Sequence, residues 1–151
     1  MNRIQLAALT LSGAALVGIA THEGFRDATY TDAVGVPTIG FGTTEGVRYG
    51  QRMTVEVALT RLLSDAGRME YQLKQCIGDV PMYQHEWDAI VSWTYNVGTG
   101  AACKSTLVRK LKARDYAGAC NELSRWTYAG GKQLAGLVKR REQERRLCLG
   151  Y

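Results

Sequence analysis

The sequence predicts an α+β fold that is mostly helical, with a small β-hairpin lobe and a helical lobe joined by one long helix. Three observations predict it. Between Glu23 and Thr44 the chain reads EGFRDATYTDAVGVPTIGFGTT, in which Gly35, Pro37, Gly40 and Gly42 punctuate short strands and tight turns. From Val55 to Cys76, apolar residues recur in steps of three and four, the period of an amphipathic helix. Beyond Gly78 that period returns in shorter runs separated by glycines and capping residues. With 151 residues, 46% of them hydrophobic, the chain can bury a core as one domain with two lobes.

The first element is an uncharged run, Ile4 to Ala20, preceded by Arg3. Its length sits at the lower edge of a membrane-spanning helix. Seven strongly apolar residues (Ile4, Leu6, Leu9, Leu11, Leu16, Val17, Ile19) favour insertion by about 2–4 kcal/mol in sum. Gln5, Thr10, Ser12, Gly13 and Gly18 oppose it, so the balance is close. The favoured reading is an anchor that can enter a bilayer and leave it, with Arg3 on the cytoplasmic side and the body outside. Two others compete. A plain core helix lacking a polar face would need burial nearly all round. A signal peptide cut after Ala20 would leave Glu23 without a helix to hold it. Residues 1–20 are thus set apart from a body of residues 21–151.

The long helix has Thr54 as a candidate N-cap and Glu56 in its first turn. Val55, Leu59, Leu62, Leu63, Ala66, Met69, Leu73 and Cys76 form its apolar stripe, and Gly67 within it costs about 1 kcal/mol against Ala. Gly78 and Pro81 break the pattern. A second helix follows over Gln84–Val97, burying Trp87, Ile90, Val91 and Thr94, with Trp93 and Tyr95 beside them. The tryptophans read as core. Tyr95 and Asn96, at the helix end before Gly98, are placed to line a cleft. Ser105 and Asp115 can each cap a short helix. TYAGGKQLAG reads as an exposed loop, and a last helix places Leu137, Val138, Arg141, Glu144, Leu147 and Cys148 near one face. Its run of Lys139, Arg140, Arg141, Arg145 and Arg146, interleaved with Glu142 and Glu144, reads as a solvated, salt-bridged surface on which Glu142 pairs with Arg146.

Composition narrows the function. The balance of 19 Lys and Arg against 14 Asp and Glu gives +5, which suits a polyanionic partner or an ordinary basic surface. No groove-reading motif accompanies the charge, so nucleic acid is not expected as a partner. The four cysteines, 76, 103, 120 and 148, lack C-x-x-C spacing and lie far from His22 and His85. Neither a metal site nor a cofactor is expected. Four cysteines can pair in three ways, and spacing does not choose among them.

The chemistry concentrates in the turn-rich stretch. Glu23 stands at the end of a helix, Asp32 in a turn, and Thr38 just past Pro37. Two carboxylates and a hydroxyl on different short elements can face each other across a cleft, as acid-assisted hydrolysis of a glycosidic bond requires. The general acid must keep its proton near the working pH, and a Glu at the negative end of a helix dipole is disposed to do so. A carboxylate in an open, hydrated turn is disposed to stay ionised.

The spacing Glu23, eight residues, Asp32, five residues, Thr38 resembles that of the tailed-phage lysozymes, the endolysins of glycoside hydrolase family 24. HEGFRDATYTD, GVPTIGFGTT, WTYNVGTG, STLVRKL and RWTYAGGKQLAGLVKRREQER are similar to that family's motifs, in order along the whole chain. With the weakly apolar N-terminus they most resemble the signal-anchor-release endolysins of lambdoid phages. The resemblance implies a lysozyme-like two-lobed fold and a muramidase that cuts β-1,4 bonds between N-acetylmuramic acid and N-acetylglucosamine. Glu23 would be the general acid, Asp32 the second carboxylate and Thr38 a water-positioning hydroxyl. Tyr95, Asn96 and Thr106 would line the sugar cleft. The implied outcome is inversion, and the implied disulfides are Cys76–Cys103 and Cys120–Cys148. The partners would be peptidoglycan and, through residues 1–20, the host inner membrane. A monomer would be tethered there inactive, then released active into the periplasm once a holin-type protein depolarises the membrane. Two departures stand out. Thr43 occupies a position where many relatives carry His, and residues 1–20 contain no Cys, so activation by disulfide exchange with the anchor is not expected. The competing reading is a non-catalytic wall- or membrane-binding protein on the same scaffold.

Overall fold

A computed structural model describes residues 2–151. The N-terminal run is not one helix. A 3-10 turn at Leu6–Ala8 gives way to extended backbone at Leu9, and α1 (Gly13–Glu23) begins only where the Ser12 hydroxyl accepts from the Ala15 N–H at 3.1 Å. Gly24, at φ 70°, ends α1. Leu6, Leu9 and Ile19 are buried in the main core, while Val17 is exposed, so α1 is not the all-round core helix considered above. Among the described residues no helix is long and apolar enough to cross a membrane.

The small lobe follows. Strand β1 (Arg26–Thr31) pairs antiparallel with β2 (Pro37–Gly40), setting Tyr30 opposite Thr38. The chain then returns along the other edge of β1, where the Thr29 N–H donates to Gln51 O at 3.1 Å and the Met53 N–H to Asp27 O at 2.8 Å. Gly40 has φ 66°, and a Cβ there would lie 3.1 Å from both Ala58 Cβ and Met53 Sδ, so a side chain would push this lobe off the helix beneath it.

That helix, α2 (Val55–Ile77), is capped by Thr54 as expected. It buries Ala58, Leu62, Ala66, Leu73 and Ile77. Val55, Leu59 and Leu63, expected in the buried stripe, lie at the surface instead. Spanning two lobes, α2 is covered along a narrower arc than its apolar residues occupy. Helix α3 (Gln84–Val97) runs through the middle of the large lobe, with Trp87, Ile90, Val91, Trp93 and Thr94 all buried. Short helices α4 (Thr99–Cys103), α5 (Thr106–Lys112) and α6 (Tyr116–Glu122) wrap it, α5 capped by Ser105 and α6 by Asp115. The expected glycine loop forms a small hairpin, β3 (Tyr128–Ala129) and β4 (Lys132–Gln133). Gly130 and Gly131 both take positive φ, the conformation a two-residue hairpin turn needs.

The last helix, α7 (Ala135–Leu149), packs against α3. Here the expectation of a solvated charged face fails for three of its seven charges. Arg140, Arg141 and Glu144 are 7%, 1% and 3% exposed, because α3 covers the side that carries them. Only the outer charges are solvated, and Glu142 pairs with Arg145, at 2.9 Å, rather than with Arg146. Disulfides Cys76–Cys103 and Cys120–Cys148 tie α2 to α4 and α6 to α7, the pairing the resemblance implied.

Candidate active site

Between the lobes lies an open cleft of about 740 Å³. Glu23, Asp32 and Thr38 all line it, joined by Tyr30, Tyr95 and Asn96. Helix α1 brings Glu23 from one side and the hairpin brings Asp32 and Thr38 from the other. Thr106 is not among these residues. It sits at a separate depression with Glu122, Arg125 and Trp126, its hydroxyl accepting from Arg109 at 2.6 Å.

Asp32 and Thr38 are positioned through one residue, Val36. Asp32 Oδ1 accepts from the backbone N–H of Val34 at 2.9 Å and of Val36 at 2.8 Å. The Asp32 N–H donates to Val36 O at 3.0 Å, closing the turn. The Thr38 hydroxyl donates to the same carbonyl, also at 3.0 Å. With its proton so engaged, Thr38 Oγ1 presents lone pairs, which suit it to accept from a water molecule.

Glu23 is held differently. Its Oε1 accepts from Arg140 Nη1 at 2.9 Å. Arg140 is fixed in turn by Glu144 Oε1 at 3.0 Å and by the Ser92 carbonyl at 3.1 Å. Glu144 also binds Arg141 and accepts from the Ser92 hydroxyl at 2.8 Å, and Arg141 reaches Asn96 Oδ1 and the Trp126 carbonyl. A buried network of two guanidinium groups and one carboxylate therefore connects the Glu23 side chain to Asn96. On the opposite side of Glu23 is Gly42, at φ 83°. A Cβ there would meet Glu23 Oε2 at 3.1 Å, so glycine leaves that oxygen room.

The sequence reading missed Arg140, Arg141 and Glu144 as site-supporting residues. The signal was present in part: Arg141 and Glu144 fall in helical register with Leu137 and Cys148, which places charge on a buried face. The partner across from it was not visible, because Ser92 and Glu23 are far away in sequence.

Four carboxylates, Glu23, Asp32, Glu45 and Asp65, line the cleft against one guanidinium, Arg68. Arg68 joins Glu45 to Asp65, and Asp65 also accepts from the Thr43 hydroxyl at 3.0 Å. Burial, with Asp65 and Glu23 nearby, holds the Tyr95 hydroxyl well above the usual phenol range. It stays protonated and donates to Phe41 O at 2.8 Å, joining the two lobes at the floor of the cleft.

A two-lobed fold with one carboxylate at a helix end and another on a facing hairpin is the architecture of a lysozyme-type glycosidase. Comparisons with known proteins agree. The family model "Phage lysozyme" matches residues 20–144. The "SAR-endolysin" of Bacteriophage PS34 is 42% identical over 129 residues, spanning 84% of this chain and 76% of that protein. Among solved structures, "Endolysin from Escherichia coli O157:H7 phage FAHEc1" aligns with a TM-score of 0.82 and 33% identity, covering 95% of each chain. "Muramidase domain of SpmX from Asticaccaulis excentricus" aligns with a TM-score of 0.86 and 28% identity, over 95% of this chain and 99% of that one. The chain belongs to the phage lysozyme family and is an enzyme, a glycosidase of the muramidase type.

Proposed function

We propose that the protein is a phage endolysin that hydrolyses the β-1,4 bond between N-acetylmuramic acid and N-acetylglucosamine in peptidoglycan. The observation that carries this is the convergence of Glu23, Asp32 and Thr38 on one cleft, with Glu23 oriented by Arg140. Glu23 protonates the leaving oxygen. Arg140 has donors only, so Glu23 Oε1 remains an acceptor and the transferable proton belongs on Oε2. Asp32 stabilises the oxocarbenium-like transition state or activates water, and Thr38 holds that water by accepting from it. Tyr95 and Asn96 contact the sugar, whereas Thr106, outside the cleft, is given no role. An open, acidic groove suits a long polysaccharide better than a polyanionic nucleic acid.

Residues 1–20 then act as a signal-anchor-release segment and residues 21–151 as the catalytic body. Exported uncleaved, the monomer is tethered in the host inner membrane and inactive. A holin-type depolariser frees it into the periplasm, where the segment folds onto the body. The reason for inactivity is geometric: a helix held in lipid through its leading half cannot seat Glu23 beside Arg140. The relative named a SAR-endolysin supports this reading. The test is Glu23→Gln, which is expected to abolish clearing of cell walls while the chain still folds. Retained lysis contradicts the assignment.

A further inference from the structure

Residues Leu9–Ser12, between the 3-10 turn and α1, present four backbone groups to the body, and body side chains satisfy all of them. Lys74 donates to Leu9 O. Gln84 Nε2 donates to Thr10 O at 2.7 Å. The Leu11 N–H donates to Glu70 Oε2 at 2.8 Å, and the Ser12 N–H to Asp88 Oδ1 at 2.9 Å. Asp88 Oδ2 also accepts from the Ser12 hydroxyl at 2.7 Å. These side chains are braced independently of the segment: Glu70 accepts from Trp87 Nε1 at 2.8 Å, and Asp88 from Gln84 Nε2 at 2.9 Å.

In a continuous helix through Ile4–Ala20, the same N–H groups would donate four residues back and the same carbonyls would accept from four residues on. They would then be unavailable to the body. We propose that Glu70, Lys74, Gln84 and Asp88 form an acceptor site for the chain's own segment Leu9–Ser12, which it binds only in non-helical form, in competition with the bilayer. This rests on the reading that residues 1–20 begin in the membrane. A site that prefers one of two conformations shifts their equilibrium by that difference in affinity. Apart from the Ser12 hydroxyl the site bonds backbone, and the Leu9 side chain that docks with it is apolar, so the segment keeps a composition that also suits the membrane.

The test uses the purified full chain with vesicles of phosphatidylethanolamine and phosphatidylglycerol, reading the membrane-bound fraction by flotation and the exchange of the Leu11 and Ser12 amides in solution. Asp88→Ala is expected to raise the ratio of bound to free chain about tenfold or more, the factor for a lost hydrogen bond to a charged group. Gln84→Ala, the milder change should Asp88→Ala not fold, is expected to raise it about threefold. Both variants should clear cell walls in vesicle-free buffer, and both amides should exchange faster in Asp88→Ala. A chain with Gly13→Leu and Gly18→Leu serves as the reference for insertion. If it binds vesicles while Asp88→Ala and Gln84→Ala partition as wild type, the acceptor site is overturned and the anchor reading stands. If it never binds, the anchor reading falls, and the competition with it.

Discussion

Glu23 and Arg140 lie at opposite ends of the chain, yet Arg140 is the residue that fixes which oxygen of Glu23 accepts and which faces Gly42. Replacing Arg140 with Ala is expected to lower kcat about 10–100-fold, less than the roughly 10²–10⁴-fold a general acid itself contributes, because Glu23 remains but is no longer oriented. It should also destabilise the fold by about 3–5 kcal/mol, because Glu144 loses a buried partner. Steady-state kinetics and urea denaturation read these separately. Gly42→Ala places a methyl group against Glu23 Oε2 in a left-handed backbone, and should cost about 1–3 kcal/mol of stability along with activity. His22 gives a pH-dependent prediction. Burial, with Arg140 nearby, holds its imidazole below the ordinary pKa. As pH falls below about 6.5 the unfolded chain binds the proton first, so the contribution to stability is complete above that pH and declines on acidification. The urea midpoint of His22→Gln should therefore fall less steeply than wild type between about pH 7 and pH 5. At this scale the convergence of Glu23, Asp32 and Thr38 on one cleft was legible, because they lie within one short stretch. Arg140 was not, since its partners Glu23 and Ser92 come from other elements and only packing brings them together.

The elements read well where local chemistry determines them. Thr54, Ser105 and Asp115 cap the helices expected of them, and α3 has the range its apolar period predicts. The reading weakened where neighbours decide. Leu59 and Leu63 share the period of Leu62, but only one side of α2 is covered. The Gly130–Gly131 pair read as a loop because the strands it joins are two residues each, too short to show an alternation. The disulfide Cys120–Cys148 clamps the end of the helix that carries Arg140. Each bridge closes a loop of just under 30 residues, so exchanging either pair for Ser should cost roughly 3–4 kcal/mol. Thermal unfolding of the Cys120→Ser, Cys148→Ser double variant checks this. Its activity should be lost at a lower temperature than wild type, since α7 must stay docked for Arg140 to hold Glu23.

For the molecule as a whole, the proposed function gives the first twenty residues two uses that exclude each other. In the structure Leu6, Leu9 and Ile19 complete the core and α1 delivers Glu23 to the cleft. In the proposed anchored form those side chains face lipid, and the cleft lacks its acid. Gly13→Leu with Gly18→Leu strengthens insertion and should delay or prevent lysis triggered by depolarisation; unchanged lysis contradicts the releasable anchor. The two-lobed fold was legible because its hairpin, long helix and helical lobe follow one another in the chain. The folded form of residues 2–20 was not, because the break between the 3-10 turn and α1 is bonded by Glu70, Lys74, Gln84 and Asp88, which lie far along the chain. The central claim is that this cleft cuts the muramic acid side of the bond with Glu23 as acid. Its most direct test is to digest purified sacculi, reduce the products with borohydride and identify the new reducing ends. The wild-type chain is expected to yield muramitol ends, and Glu23→Gln to yield about 10²–10⁴-fold fewer at the same protein concentration. Glucosaminitol ends from the wild type, or undiminished muramitol from Glu23→Gln, would contradict it.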